Sequence, residues 1–281
     1  MMPYHCFPAS LILTISLLAH ASAAAETITF ESGAKPPSPF QVRLAKNQGR
    51  PIPTGTPGVT VKAELAKPRG DGPHPAIVIL HTCGGVMRHT SQDWPKFLTK
   101  LGYAALSVDT FGSRGLGPCP NGLQPGAMLD DAFGALDFLA ARAFIDAKRI
   151  GVIGFAKGGI VVNEIAATEH RISDIQFRAG ISFYGRCETL LGVEHQLHMP
   201  LIEIFGDHDP QTAACKTLSP SAKLMVTALP DAYHGFDVQE PTGRPATPAT
   251  DIRYSQEATR HARAIAKGFL VRHFSPPGKS D

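Results

Sequence analysis

The sequence predicts an α/β fold built on a doubly wound, mostly parallel sheet, and three observations carry that expectation. Short apolar runs alternate with segments of helical periodicity along most of the chain, the order of strand and crossover-helix units. The run Ala76-Ile77-Val78-Ile79-Leu80 is apolar at every position, as a strand covered on both faces must be. Arg149 to Gly159 reads Arg-Ile-Gly-Val-Ile-Gly-Phe-Ala-Lys-Gly-Gly, a short strand that enters a glycine-flanked turn and then a helix opening on small residues. Glycines at such a turn let strand and helix approach closely.

Taken in order, Glu26 to Glu31 reads as a first strand, followed by a proline-rich turn at Pro36 to Pro39. Gln41 to Leu44 and Val59 to Ala66 alternate as half-buried strands do, with turn-rich sequence from Asn47 to Gly58 between them. Lys67 to Pro75 is turn chemistry and leads into the apolar strand, which ends in His81-Thr82-Cys83-Gly84-Gly85. From Gln92 to Leu101, Trp94, Phe97, Leu98 and Leu101 fall at helical spacing. Tyr103 to Val108 is the next strand, and Thr110 to Gly126 is a loop. Ala127 to Ala143 is a helix with Leu129, Phe133, Leu136 and Ala140 on one face. The glycine-flanked turn follows, with its helix through about Ala167. Ala179 to Tyr184, Pro200 to Phe205 and Lys223 to Ala228 are further strands, and Ser255 to Arg272 is a long final helix.

Composition sets the outer bounds. A chain of 281 residues with 43% hydrophobic and 18% charged content can bury one sizeable core, so residues 26–281 are read as a single domain. A net charge of +3 without a Lys/Arg cluster excludes nucleic acid as the expected partner. Residues 1–25 read as a signal peptide. Leu11 to Ala19 is a short apolar stretch, and Ala21 to Ala25 offers small-residue cleavage sites. The stretch is too short for a stable membrane anchor, so a periplasmic or secreted location is expected. Cys6 would leave with the signal, and Cys83, Cys119, Cys187 and Cys215 would remain. Four cysteines allow three pairings. Chain proximity favours Cys83 with Cys119 and Cys187 with Cys215. No C-x-x-C spacing is present, and His195-x-x-His198 points to no metal, so neither a metal nor a cofactor is expected.

Ligands of doubly wound sheets sit outside the carboxyl ends of the strands. Ala156, Asp209 and His234 fall there in the chain order nucleophile, acid, base. The turn Gly154-Phe155-Ala156-Lys157-Gly158 has the form of a G-x-S-x-G nucleophile elbow, with alanine at its centre. A histidine in such a triad moves the nucleophile's proton, and the carboxylate holds its tautomer. Asp207 is the rival acid, two residues before Asp209. The oxyanion hole would use amides of Lys157 and of Thr82 or Cys83, beside Gly84 and Gly85. Cys83 lies in a loop suited to a substitute nucleophile, but nothing in the sequence brings it to His234. Arg114 could clamp a substrate carboxylate or pair with Asp109, and the second expectation is preferred.

At these residues the chain resembles the dienelactone hydrolase family of α/β-hydrolases. The resemblance rests on Leu80 to Gly85, on Gly102-Tyr103 with Val108 to Gly115, on the elbow, on Gly206-Asp207-His208-Asp209-Pro210 and on Tyr233-His234-Gly235-Phe236. It implies an α/β-hydrolase fold with helices on both faces of the sheet, and hydrolysis of a small carboxylic ester or lactone without a metal. It also implies a nucleophile at position 156, an acid at Asp209 and a base at His234. Alanine cannot form an acyl-enzyme, so turnover is expected to be lost or very weak. The alternative is an exported binding protein that holds a small ester, lactone or carboxylate through His234, Lys157 and the Thr82 and Cys83 amides.

Overall fold

In a computed structural model of the chain, the described residues are 25–33, 39–52, 58–121, 123, 126–169, 175–239 and 251–275. The expected signal segment, apart from Ala25, lies outside them. The strands are β1 (Glu26–Ser32), β2 (Val59–Ala66), β3 (His74–Leu80), β4 (Ala104–Asp109), β5 (Ile145–Phe155), β6 (Gly180–Phe183), β7 (Leu201–Gly206) and β8 (Leu224–Leu229). They form one eight-stranded sheet in the order β1-β2-β4-β3-β5-β6-β7-β8. β1–β2 and β2–β4 pair antiparallel, and every later pair is parallel.

The helices are α1 (Pro39–Asn47), α2 (Trp94–Lys100), α3 (Ala127–Ala140), α4 (Lys157–Ala167) and α5 (Gln256–Phe274). A five-residue π-turn, His89–Asp93, leads into α2. Two glycines of β5 show how helices cover both faces. A Cβ on Gly151 would strike Phe274 of α5, while one on Gly154 would strike the backbone of α4 at Gly158. Residues three apart in a strand face opposite ways, so α4 and α5 lie on opposite sides of the sheet. The central strands are correspondingly apolar: Ala76 through Leu80, Ala104 through Leu106, and Leu201, Ile202, Ile204 and Phe205 are all buried.

One expected element is corrected. Gln41 to Leu44 is not a strand but part of α1. An apolar alternation this short cannot separate period 2 from period 3.6. Local end signals decided the outcome: Pro39 at the first helical position, Lys46 in the last turn, and Gly49 beyond it with φ 60°.

The sheet also buries an acid. Glu203 of β7 sits beside Ser182 of β6 and is wholly buried. Burial pushes its carboxyl well above the ordinary 4.5, against weaker opposing contributions from Ser182 and Asn163. Neither carboxyl oxygen makes a well-formed hydrogen bond to the described residues. Below the ordinary pKa both folded and unfolded chains keep the proton, and the full stability is present. As pH rises the unfolded chain ionises first, so stability falls by up to about 1.4 kcal/mol per pH unit until the folded group also ionises. Glu203→Gln should remove this slope. In urea titrations its stability relative to the parent should improve steadily from about pH 5 to about pH 8; a constant difference would show that Glu203 does not stay protonated in the fold.

Candidate active site

The site begins where β5 runs into α4. Ala156 stands between them with φ 48° and ψ −105°, a backbone region that costs an L-residue roughly 1–3 kcal/mol. The turn is fixed from both ends. Ala156 N–H donates to the Phe183 carbonyl at 2.9 Å, its carbonyl accepts from Ile160 N–H at 3.0 Å, and Gly158 N–H donates to the His81 carbonyl at 3.2 Å. A side chain at Gly154 would collide with Gly158, and one at Gly158 with the Leu80 carbonyl. The glycines are therefore required by close approach of strand, helix and the loop after β3.

Asp209 and His234 meet beside this turn. His234 Nδ1 donates to Asp209 Oδ2 at 2.7 Å, and Asp209 Oδ1 accepts from Gln211 N–H at 2.9 Å. The Asp209 side chain is 0% exposed and that of His234 10%. The loops carrying them are locked together: His208 N–H donates to the Ala232 carbonyl at 3.0 Å, and a Cβ on Gly206 would strike that carbonyl. Asp207, the rival acid, instead lies 3.8 Å from the exposed His208 ring. With Nδ1 committed as a donor, the lone pair of neutral His234 is on Nε2.

A cavity of about 320 Å³ joins these parts, at the small end of the range for small-molecule sites. Ala156, Lys157, His234, Thr82, Cys83 and Gly84 line it, with Tyr184 and Arg186. The loop after β3 is shaped by its own hydrogen bonds. Gly84 N–H donates to Thr82 Oγ1 at 2.9 Å, and buried His81 donates from Nδ1 to the Thr82 carbonyl at 2.7 Å. Burial lowers the His81 pKa, which favours the neutral ring. Cys83 is bonded to Cys119, and Cys187 to Cys215. The first bridge ties the Thr110 to Gly126 loop to the cavity wall, and Cys119 is itself a wall residue. Cys83 therefore carries no free thiol. Among the described residues, Cys187, Glu203 and Cys215 are the one grouping of metal-ligand types, and its two sulfurs are bonded to each other.

The sequence profile of the dienelactone hydrolase family matches residues 61–274. The chain belongs to the dienelactone hydrolase family. Its curated relatives include YtaP of Bacillus subtilis (strain 168), named provisionally as a hydrolase, which is 30% identical over 134 residues, or 39% of this chain and 45% of that one. A Bradyrhizobium protein named provisionally as a 2-oxo-3-(5-oxofuran-2-ylidene)propanoate lactonase is 25% identical over 178 residues, 57% of this chain and 69% of that one. The chain thus spans less than half the length of YtaP. Among solved structures, a dienelactone hydrolase-like promiscuous phosphotriesterase from metagenomic libraries superposes with a TM-score of 0.62 at 19% identity, over 90% of this chain and 100% of that one. Thermogutta terrifontis esterase 2, phosphorylated by paraoxon, gives 0.58 at 17% identity, over 78% and 92%. At these identities the structures show the shared fold.

Within this dienelactone hydrolase fold two features depart from the sequence reading. Arg114 neither lines the cavity nor pairs with Asp109. It turns back into the fold, donating from Nη1 and Nη2 to the two carboxylate oxygens of Asp131 at 2.8 Å each, and from Nη1 to the Thr110 carbonyl at 2.8 Å. Asp131 is fully buried in α3 and also accepts from Ser32 Oγ at 2.5 Å. A carboxylate one helix away was invisible to chain proximity, whereas Asp109 is consumed locally as the acceptor of Gly112 N–H.

The second feature is Tyr184, with φ 40°, whose ring meets the His234 ring edge-on at 4.9 Å. Its hydroxyl donates to Asp237 Oδ1 at 2.6 Å, while Trp94 Nε1 donates to Asp237 Oδ2 at 2.7 Å. Burial, then the Asp237 charge, pushes the Tyr184 hydroxyl well above its ordinary pKa, so it stays a neutral donor. Tyr184 follows a strand end, as Ala156 and Asp209 do, and that placement was the signal available for it.

The Arg114–Asp131 pair yields a test. Arg114→Met should cost roughly 3–5 kcal/mol, because it strands a buried carboxylate. Adding Asp131→Leu should recover part of that loss in denaturant titrations. Unchanged stability in the single variant would mean that the pair does not hold the loop.

Proposed function

We propose that this protein is a carboxylic ester or lactone site of the dienelactone hydrolase type in which Ala156 stands where a nucleophile would act, so the acyl-enzyme route is closed. Asp209 and His234 are the acid and base, and the amides of Lys157 and of Thr82 or Cys83 are the oxyanion donors. The observation that carries this reading is the His234–Asp209 hydrogen bond of 2.7 Å facing the same cavity as an alanine held at φ 48°. A ring oriented by a buried carboxylate beside a positive-φ strand–helix turn is the arrangement that acyl transfer needs.

The ligand would be small and largely apolar with an ester, lactone or carboxylate group. A cavity of about 320 Å³ with Lys157 and Arg186 as its lining cations supports that choice. The provisional lactonase name of the Bradyrhizobium relative supports the lactone in particular. Export is part of the same proposal, and two disulfides among the described residues support it.

Restoring the heteroatom tests the assignment. Ala156→Ser or Ala156→Cys should raise turnover of short p-nitrophenyl esters or of a dienelactone by at least about 10²-fold over the parent chain. His234→Ala in the better variant should cancel the gain. Both variants remaining at the parent rate while folded would overturn the assignment of position 156.

A further inference from the structure

We propose that the Asp209–His234 pair still hydrolyses a bound ester or lactone by activating water directly, in a single displacement with no covalent intermediate. The inference rests on the site assignment above and adds a reaction path to it.

Elimination along the cavity wall leads there. Ala156 offers only a methyl group, so it cannot hydrogen-bond His234 or attack a carbonyl. The sulfurs of Cys83 and Cys119 are bonded to each other. The Tyr184 hydroxyl is spent on Asp237 at 2.6 Å and held protonated by burial. The Thr82 hydroxyl is engaged locally, accepting from Gly84 N–H at 2.9 Å and donating toward Met87 Sδ at 3.8 Å. Arg186 pairs with Glu188 at 2.9 Å and has no nucleophilic atom. Apart from the Lys157 amine, the described wall residues offer no free side-chain nucleophile.

The base is intact. His234 Nδ1 is fixed on Asp209, and Nε2 has no partner among the described residues. The ring lines the cavity and its side chain is 10% exposed, so water can reach it. Alanine is smaller than serine or cysteine by one heteroatom, which leaves room near the elbow for a water oxygen. Lys157 lines the same cavity, and as the first residue of α4 its N–H has no intrahelical acceptor.

The step balances with water as the only co-reactant. A water O–H bond breaks and its proton passes to His234 Nε2, while the oxygen forms a bond to the ester carbonyl carbon. The carbonyl π pair moves onto oxygen, where the Lys157 and loop amides stabilise it. That pair then re-forms the carbonyl and expels the alkoxide, which takes the proton from His234 Nε2. The products are an acid and an alcohol, or a hydroxy acid from a lactone. Asp209 remains ionised throughout and holds the imidazolium.

The experiment uses the full mature chain with p-nitrophenyl acetate and dihydrocoumarin, read by turnover and by intact-protein mass during turnover. The parent should exceed buffer hydrolysis by about 10³-fold without any mass increase, whereas Ala156→Ser should show an acetyl adduct on position 156. His234→Ala should lose about 10²-fold, the general-base share of the parent rate. Asp209→Asn, which keeps the shape of the carboxyl, should lose a factor similar to that lost by His234→Ala, because the ring is left without the carboxylate that orients it. Thermal melts establish that each variant is folded. A parent at the buffer rate beside an active Ala156→Ser would overturn the water path and leave the site assignment standing. Parent and Ala156→Ser both at the buffer rate would remove the assignment as well. A parent rate unchanged by His234→Ala, or an acyl adduct on Lys157 formed at the turnover rate, would also overturn the water path.

Discussion

The geometry of this protein hangs on one close approach, the contact of Gly154 and Gly158 across the turn that joins β5 to α4. Neither position has room for a Cβ: the first is pressed against α4 and the second against the end of β3. These contacts draw three elements together at the carboxyl end of the sheet's central strands. They also leave the residue between them no ordinary backbone conformation. Ala156 takes φ 48° because the packing around it admits little else, which is how strain of about 1–3 kcal/mol persists in a native fold. The cavity, the loop after β3 and the first amides of α4 inherit their positions from that turn.

The sequence made the scaffold readable because its strands are buried on both faces. A run such as Ala76 to Leu80 has few other homes, and the glycine spacing around Ala156 states a steric demand directly. Asp209 and His234 were legible for the same reason, since strand-end loops are where a parallel sheet presents side chains. What stayed hidden needed contacts between distant segments. Asp131 lies 17 positions from Arg114, and Asp237 lies 53 positions from Tyr184 and 143 from Trp94. No local pattern encodes such pairs. The misread stretch at Gln41 failed differently: four residues carry too little periodicity, and the end signals at Pro39 and Gly49 governed.

Tyr184 and Asp237 show how the imidazole is supported by more than its carboxylate. Asp209 fixes Nδ1, and the Tyr184 ring limits rotation by packing edge-on at 4.9 Å. Tyr184 is in turn held through its hydroxyl by a buried carboxylate shared with Trp94. Two aromatic donors occupy one buried carboxylate, and no ion pair to it is formed among the described residues.

Why should so costly a turn survive around an alanine? Serine and alanine differ little in backbone preference, so the side chain at 156 is not what holds φ at 48°. The conformation is set by Gly154, Gly158 and the hydrogen bonds that Ala156 donates to the Phe183 carbonyl and accepts from Ile160 N–H. Exchanging the side chain at 156 for another of similar size thus leaves the turn nearly untouched. On the proposed reading, position 156 differs from an active elbow in its side chain alone, beside an unaltered His234–Asp209 hydrogen bond and cavity. That separation of backbone from side chain makes position 156 a chemical variable on a fixed frame.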